Sequence, residues 1–165
     1  MSIFRPDEIL KKFDELDISA LKSRGFNTIL LDVDNTITPY YEKLPGKEGK
    51  DFVKKLKDNG FEVFVFSNNT DKRVSKVAKA LDCEYYPWAF KPLAFRGNHL
   101  ISSKKLDRTK IFIMGDQLLT DVLCGKALGI YSIYVKPIVD SDSFRTSINR
   151  FFERKIFKYI LHEKV

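Results

Sequence analysis

Hydrophobic and polar positions along the chain follow two rhythms. Five short apolar runs, rich in β-branched and aromatic residues, are NTILLDVD (27–34), FEVFVFSN (61–68), CEYYPW (83–88), KIFIMGD (110–116) and IYSIYVK (130–136). Three of them are nearly continuous in apolar character, as strands covered on both faces must be. Between them lie segments of helical length: KEGKDFVKKLKDNG (47–60), DKRVSKVAKALD (71–82), LAFRGNHLISSKKL (93–106) and TDVLCGKALG (120–129). Phe52, Val53 and Leu56 fall at helical spacing in the first, with Gly60 as a stop, and Val74, Val77, Ala78 and Leu81 repeat the pattern in the second. Strand and helix in alternation predict an α/β fold, a doubly wound parallel sheet of about five strands.

Sheets of this kind gather the loops at the carboxyl ends of their strands around one crevice. Taken in order, those ends carry Asp32-Val33-Asp34-Asn35-Thr36, then Ser67-Asn68-Asn69, then Lys91-Pro92, then Gly115-Asp116-Gln117 with Asp121. Asp32 and Asp34 are two residues apart, so both can point to one side, with Cβ atoms roughly 7 Å apart if the strand continues. Asp116 would join them from a neighbouring strand. Carboxylates converging in a crevice repel one another unless a divalent cation neutralises them, and hard oxygen ligands suit Mg²⁺. An aspartate can also attack phosphorus, and a second carboxylate nearby can serve the leaving group and the incoming water in turn. The Ser67 hydroxyl, backbone N–H groups and the Lys91 ammonium are the donors that a transferring phosphoryl group requires.

Length and composition set the frame for this chemistry. A chain of 165 residues predicts a single domain over 1–165, with a core over about 25–137 and a basic tail over 138–165. A hydrophobic content of 44% excludes a disordered chain, and no apolar stretch is long enough to span a bilayer. The N-terminus mixes acids and bases, which a secretory signal would not, so a cytoplasmic location is expected. Cys83 and Cys124 lack paired spacing and read as packing residues, while His99 and His162 stand alone, so zinc chemistry drops out. The net charge of +7 invites an anionic partner: nucleic acid, a membrane surface or a phosphorylated substrate.

Singly, these motifs have ordinary explanations as turns, helix caps and a solvated lysine. Together and in order, DVDNT, the strand ending in SNN, the lysine of FKP and GDQLLTD resemble motifs one to four of the haloacid dehalogenase (HAD) superfamily of phosphohydrolases, over roughly Asn27 to Pro137. The resemblance implies that Asp32 is the nucleophile and Asp34 the general acid/base, and that Ser67, Asn68 and Lys91 bind the substrate phosphate. It further implies that Mg²⁺ is held by Asp32, Asp116 and the backbone carbonyl of Asp34, with Thr36 and Asp121 in support. The DxDNT form, GDQLLTD, the capless length and the basic tail are similar to the YqeG/Gep4 group of subclass IIIA phosphatases, which includes phosphatidylglycerophosphate phosphatases. That likeness implies a phosphomonoester on a lipid headgroup and dephosphorylation to phosphatidylglycerol.

Only ITPYYEKLPGK (37–47) separates Thr36 from the next helix, so the site is expected to be essentially capless and open, with Tyr40 and Tyr41 as a flap. A large substrate or a surface would then exclude water. In 143–164, Phe144, Ile148, Phe151, Phe152, Ile156, Tyr159 and Ile160 form a stripe among Arg145, Arg150, Arg154, Lys155 and Lys158. A C-terminal basic amphipathic helix is predicted there, either packed on the sheet or lying on the inner face of a membrane as a peripheral anchor. Residues 9–16, with Ile9, Leu10, Phe13 and Leu16, carry mixed charge and are expected to pack on the core. Two rival readings are a phosphatase for soluble sugar, nucleotide or protein phosphates and a basic nucleic-acid-binding module. Acids in the crevice would repel a polynucleotide, which counts against the second.

Overall fold

A computed structural model of the protein describes residues 3–139. The apolar runs become parallel strands β2 (Thr28–Leu31), β3 (Glu62–Phe66), β4 (Glu84–Tyr86), β5 (Ile111–Gly115) and β6 (Tyr131–Val135), with a further strand, β1 (Glu8–Leu10), at one edge. The sheet order is β1-β6-β5-β2-β3-β4. The helices are α1 (Ile18–Ser23), α2 (Lys47–Asp58), α3 (Asp71–Leu81), α4 (Phe95–Ser103) and α5 (Leu123–Leu128).

Period-two alternation divides the buried strand residues between two layers. Ile29 and Leu31 of β2 join Val63 and Val65 of β3 beneath α2 and α3, where Phe52, Val53, Leu56, Val74, Val77 and Leu81 close over them. Leu30, Phe64, Phe66 and Ile113 face the other way, onto Leu100 and Ile101 of α4 and Cys124 and Leu128 of α5. The sheet is therefore covered on both faces, as its continuous apolar runs require. β2 lies at its centre, with Leu30 level with Phe64 of β3 on one side and Ile113 of β5 on the other. From β2 the chain winds outward through β3 and β4, then returns to β5 and winds outward the other way. The carboxyl end of β2 is thus the switch point of the topology, where open α/β sheets place their ligands.

The structure extends the pattern read from the sequence in two places. β1 pairs with β6 and brings Phe13 and Leu16 into the core, as expected of residues 9–16. Its three residues, Glu-Ile-Leu, carry no run or alternation that would mark them as a strand. The helical segment at 120–129 begins earlier, as a π-helical turn over Leu118–Val122 that runs into α5. The cysteines are packed as predicted: burial pushes the Cys83 thiol up to about 11 and the Cys124 thiol up to about 12, so neither is a ready thiolate. Among the described residues no helix is long and apolar enough to cross a membrane. Apart from its first two residues, the predicted tail (138–165) lies outside the described residues.

One carboxylate fastens the N-terminal segment to the sheet. Asp7 accepts hydrogen bonds from the Ser132 N–H and hydroxyl, both at 2.8 Å, and from the Lys126 ammonium at 2.8 Å. Partial burial pushes the Asp7 carboxyl up, but the bonds from Lys126 and Ser132 outweigh it and hold the group below its ordinary value. A carboxyl depressed in the folded state adds stability above the unfolded value, and that stability disappears as the pH falls. Asp7→Ala, which strands the donors of the fully buried Ser132, is expected to cost about 1–3 kcal/mol at neutral pH. Denaturant unfolding at neutral and acid pH checks this; the gap from the parent should narrow as the pH drops through the carboxylate range.

Candidate active site

The site begins where β2 ends. The Asp32 N–H still bonds to the Met114 carbonyl of β5 at 2.9 Å, after which the chain turns sharply: the Val33 carbonyl accepts the N–H groups of Thr36, Ile37 and Thr38 at 3.1–3.2 Å. Asn35 takes the left-handed conformation at the head of this turn (φ 63°), which Asn tolerates better than most residues. Its side-chain oxygen accepts the Tyr40 N–H at 3.2 Å, and its carbonyl accepts the Ile138 N–H at 2.9 Å. Because the strand turns at Val33, the carboxylates of Asp32 and Asp34 have different partners.

Asp32 turns inward. One of its oxygens accepts from the Lys91 ammonium at 2.7 Å, and the other lies 3.4 Å from the Thr36 hydroxyl. Lys91 is itself buried and also donates to Asp121 Oδ1 at 2.6 Å and to the Phe66 carbonyl at 2.9 Å, which satisfies all three ammonium protons. Asn68 fixes the lysine backbone with a reciprocal pair, accepting the Lys91 N–H at 2.7 Å and donating to its carbonyl at 2.9 Å. The Lys91–Pro92 peptide is cis. Ser67 is buried at the end of β3, and its hydroxyl oxygen accepts the Asn69 N–H at 3.2 Å.

Asp116 follows β5 and is fully buried, and Asp121 reaches back from the π-helical turn with Oδ2 accepting the Gln117 N–H at 3.1 Å. Gly115 permits this approach: a Cβ there would lie 2.3 Å from the Asp121 carboxyl carbon. Asp32, Asp116 and Asp121 each offer one oxygen, and these lie within 4.8 Å of one another. An all-carboxylate oxygen set of this compactness suits a small hard cation such as Mg²⁺. Asp34 stands outside the cluster. Its carboxylate is bound by Arg73, at 2.7 and 3.2 Å, and by the Asn69 amide at 2.9 Å, while a third Arg73 nitrogen reaches the Lys43 carbonyl at 2.6 Å.

The sequence motifs did not single out Arg73. The signal was present: an arginine in the first turn of a helix that follows a strand-end Ser-Asn-Asn returns to the same edge of the sheet.

The charges of this core are strongly coupled. Burial pushes the Asp32 carboxyl up to about 7; Lys91 opposes the rise, and Asp121 and Asp34 add to it. Burial would strip the proton from Lys91, but Asp121 and Asp32 outweigh it and hold the ammonium above its ordinary value. For Asp32 the folded state binds a proton more tightly than the unfolded chain does, so its ionisation costs stability as the pH rises from the carboxylate range to about 7. A cation held by these oxygens would remove that cost. Gly115→Ala is expected to push Asp121 off Lys91, destabilise the fold by about 1–3 kcal/mol through overpacking and weaken Mg²⁺ binding at least about tenfold. Thermal unfolding with and without Mg²⁺, and calorimetric titration of the metal, measure the two effects.

No protein-family model matches the chain. Among solved structures, the fold is similar to an uncharacterized protein from Listeria monocytogenes serotype 4b, with a TM-score of 0.54 and 15% identity over 72% of this chain and 85% of that one. It is also similar to the core domain of a "putative phosphoglycolate phosphatase" from Streptococcus pneumoniae TIGR4, with a TM-score of 0.52 and 18% identity over 78% of this chain and 96% of that one. The chain is 33% identical over 153 residues to "Probable phosphatase YqeG" of Bacillus subtilis (strain 168), which covers 93% of this chain and 89% of that protein. A doubly wound parallel sheet with its acids at the switch point, joined to that identity along nearly the whole length, places this chain in the YqeG family of phosphatases.

Proposed function

We propose that the protein is a Mg²⁺-dependent phosphomonoesterase that works through an aspartyl-phosphate on Asp32, with phosphatidylglycerophosphate as its substrate and phosphatidylglycerol as its product. The observation that carries the chemistry is the compact set of Asp32, Asp116 and Asp121 oxygens, with Lys91 shared between two of them. In the first half-reaction an Asp32 oxygen bonds to phosphorus, the ester P–O bond breaks, and the leaving oxygen takes a proton from Asp34. In the second, Asp34 takes a proton from water, whose oxygen bonds to phosphorus, releasing inorganic phosphate and free Asp32. Mg²⁺ held by Asp32, Asp116 and the Asp34 carbonyl, with Asp121 and Thr36 in support, would neutralise charge on the phosphoryl oxygens. The Ser67 hydroxyl and the Asn68 amide are the protein's own donors toward the phosphate, joined by the Lys91 ammonium when its bond to Asp32 gives way to one with a phosphoryl oxygen, and Arg73 and Asn69 fix Asp34 on the turn.

Three features support a lipid as the substrate. The loop between the β2 turn and α2 is short, so the residues before α2 leave little to cover a small molecule. The net charge of +7 favours an anionic surface. The stretch 143–164 combines an apolar stripe with Arg145, Arg150, Arg154, Lys155 and Lys158, the composition of a helix that binds anionic lipid peripherally.

Phosphate release from phosphatidylglycerophosphate in mixed micelles, with and without Mg²⁺ and beside a panel of soluble sugar, nucleotide and protein phosphates, tests both parts. Turnover confined to soluble esters would defeat the lipid assignment. Asp32→Asn is expected to lower turnover at least ~10³-fold while keeping the fold; full Mg²⁺-dependent activity in the purified variant would refute the mechanism. Removal of 143–165 is expected to reduce turnover on vesicles about tenfold more than on a soluble ester, and equal loss on both would point to a packed helix.

A further inference from the structure

Two demands compete for the Asp34 carboxylate. It stands two residues from Asp32 at the end of a buried strand, and a divalent cation held at that end attracts any carboxylate within reach. A carboxylate that coordinates the cation gives up the lone pairs with which it would carry a proton. The acid/base role therefore requires Asp34 close to the cation site and kept off it.

Arg73, in the first turn of α3, opposes the pull of the cation. Its Nε and Nη2 both donate to Asp34 Oδ1, at 3.2 and 2.7 Å, while Nη1 donates to the Lys43 carbonyl at 2.6 Å. The Lys43 bond fixes the far side of the guanidinium to the loop before α2, so the fork is held at both ends. A planar fork restrained in this way is a stiffer partner than an ammonium on a flexible stem. The two side chains are only 17% and 22% exposed, so water competes weakly for the contact.

The same contacts make the two Asp34 oxygens unequal. Oδ1 receives two guanidinium N–H groups, which fill its roughly two lone-pair sites. Oδ2 receives only the Asn69 amide at 2.9 Å, and the Asn69 side-chain oxygen is engaged by the Thr70 N–H at 2.7 Å, which fixes the amide with its NH₂ toward Asp34. A proton on Oδ1 would face two N–H donors. Oδ2 keeps a free site and is the atom able to give a proton to the leaving oxygen and later take one from water.

We propose that Arg73 is a positioning residue that keeps the Asp34 carboxylate off the cation site of Asp32, Asp116 and Asp121 and leaves Oδ2 as its proton-carrying atom. This deepens the assignment of Asp34 as the acid/base and rests on it. It accounts for a carboxylate cluster that takes in Asp121 from the turn after β5 and leaves out Asp34, two residues from Asp32. A mere brace between α3 and the Lys43 loop would, when removed, weaken cation binding and turnover together. A positioning residue separates them, because its loss frees Asp34 to bind the cation while taking it away from the leaving group.

The test uses the full-length protein with Arg73→Ala, Arg73→Lys, Asp34→Asn and the double variant Arg73→Ala/Asp34→Asn. In calorimetric titration with Mg²⁺, Arg73→Ala is expected to bind about tenfold more tightly than the parent. Most of that gain should be absent in the Asp34→Asn background, where only the lost positive charge of Arg73 remains. In the first turnover, Arg73→Ala should release nitrophenolate from p-nitrophenyl phosphate at the parent's rate, because that leaving group needs no proton. Release of the alcohol from an alkyl phosphate should slow about tenfold or more. Added guanidinium should restore the alkyl rate, and Arg73→Lys should fall between, since one ammonium cannot reproduce the fork. Unchanged or weaker Mg²⁺ binding, or equal slowing with both leaving groups, would overturn the proposal in favour of a structural brace. Should Asp34→Asn itself not distinguish the two leaving groups, the acid/base assignment falls; if it does and Arg73→Ala does not, that assignment stands and the role of Arg73 is removed.

Discussion

A buried ammonium shared between two carboxylates holds the carboxyl edge of the sheet in its working arrangement. Lys91 arrives from the loop after β4, Asp32 from β2 and Asp121 from the turn after β5, so one nitrogen joins three separate crossings of the chain. Taking such charges out of water costs several kcal/mol per ion, and their mutual attraction offsets this only with excellent geometry and full hydrogen bonding. The lysine meets that condition with three acceptors. The acids do not meet it by themselves, because Asp32, Asp116 and Asp121 outnumber the one ammonium among them. The residual negative charge is the physical demand that a cation, or the proton that Asp32 tends to retain, must satisfy.

The remainder of the fold makes that imbalance tolerable. β2 is buried on both faces and flanked on both sides, so the position of Asp32 is set by packing and by the Asp32 N–H bond to Met114, with little freedom to relax away from its neighbours. Two further residues work at close range: Gly115 leaves room for Asp121, and Asn68 fixes the backbone of Lys91. These contacts stabilise an arrangement that repulsion among the acids would otherwise open, which is the usual relation between a functional site and its supporting core.

How much of this was legible in sequence follows from what each feature depends on. The central strands and the order of the four motifs were readable because every motif directly follows an apolar run, and strand polarity then sends all of them to one edge. β1 was not readable, since three residues at a sheet edge are recruited by pairing with β6 and have no periodicity of their own. The expected common direction of Asp32 and Asp34 assumed a strand that continues; the Val33 turn gives Asp34 to Arg73 and Asn69 and leaves its place among the clustered carboxylates to Asp121. Side-chain partners of that sort depend on where a helix begins its first turn, which the hydrophobic pattern locates only to within a few residues. The exposed aromatic residues after β4 have the composition of a buried strand end, and only the left-handed backbone at Trp88 and Phe90 turns them outward.

Asn35 has a mechanical consequence. Its carbonyl takes the Ile138 N–H while its side chain holds the loop at Tyr40, so the turn at Ile138 is tethered to the peptide three residues from Asp32. Tension applied beyond Val139 would therefore reach the turn that bears Asp32 through this hydrogen bond as well as through β6. The exit of the chain and the position of Asp32 are thereby mechanically linked.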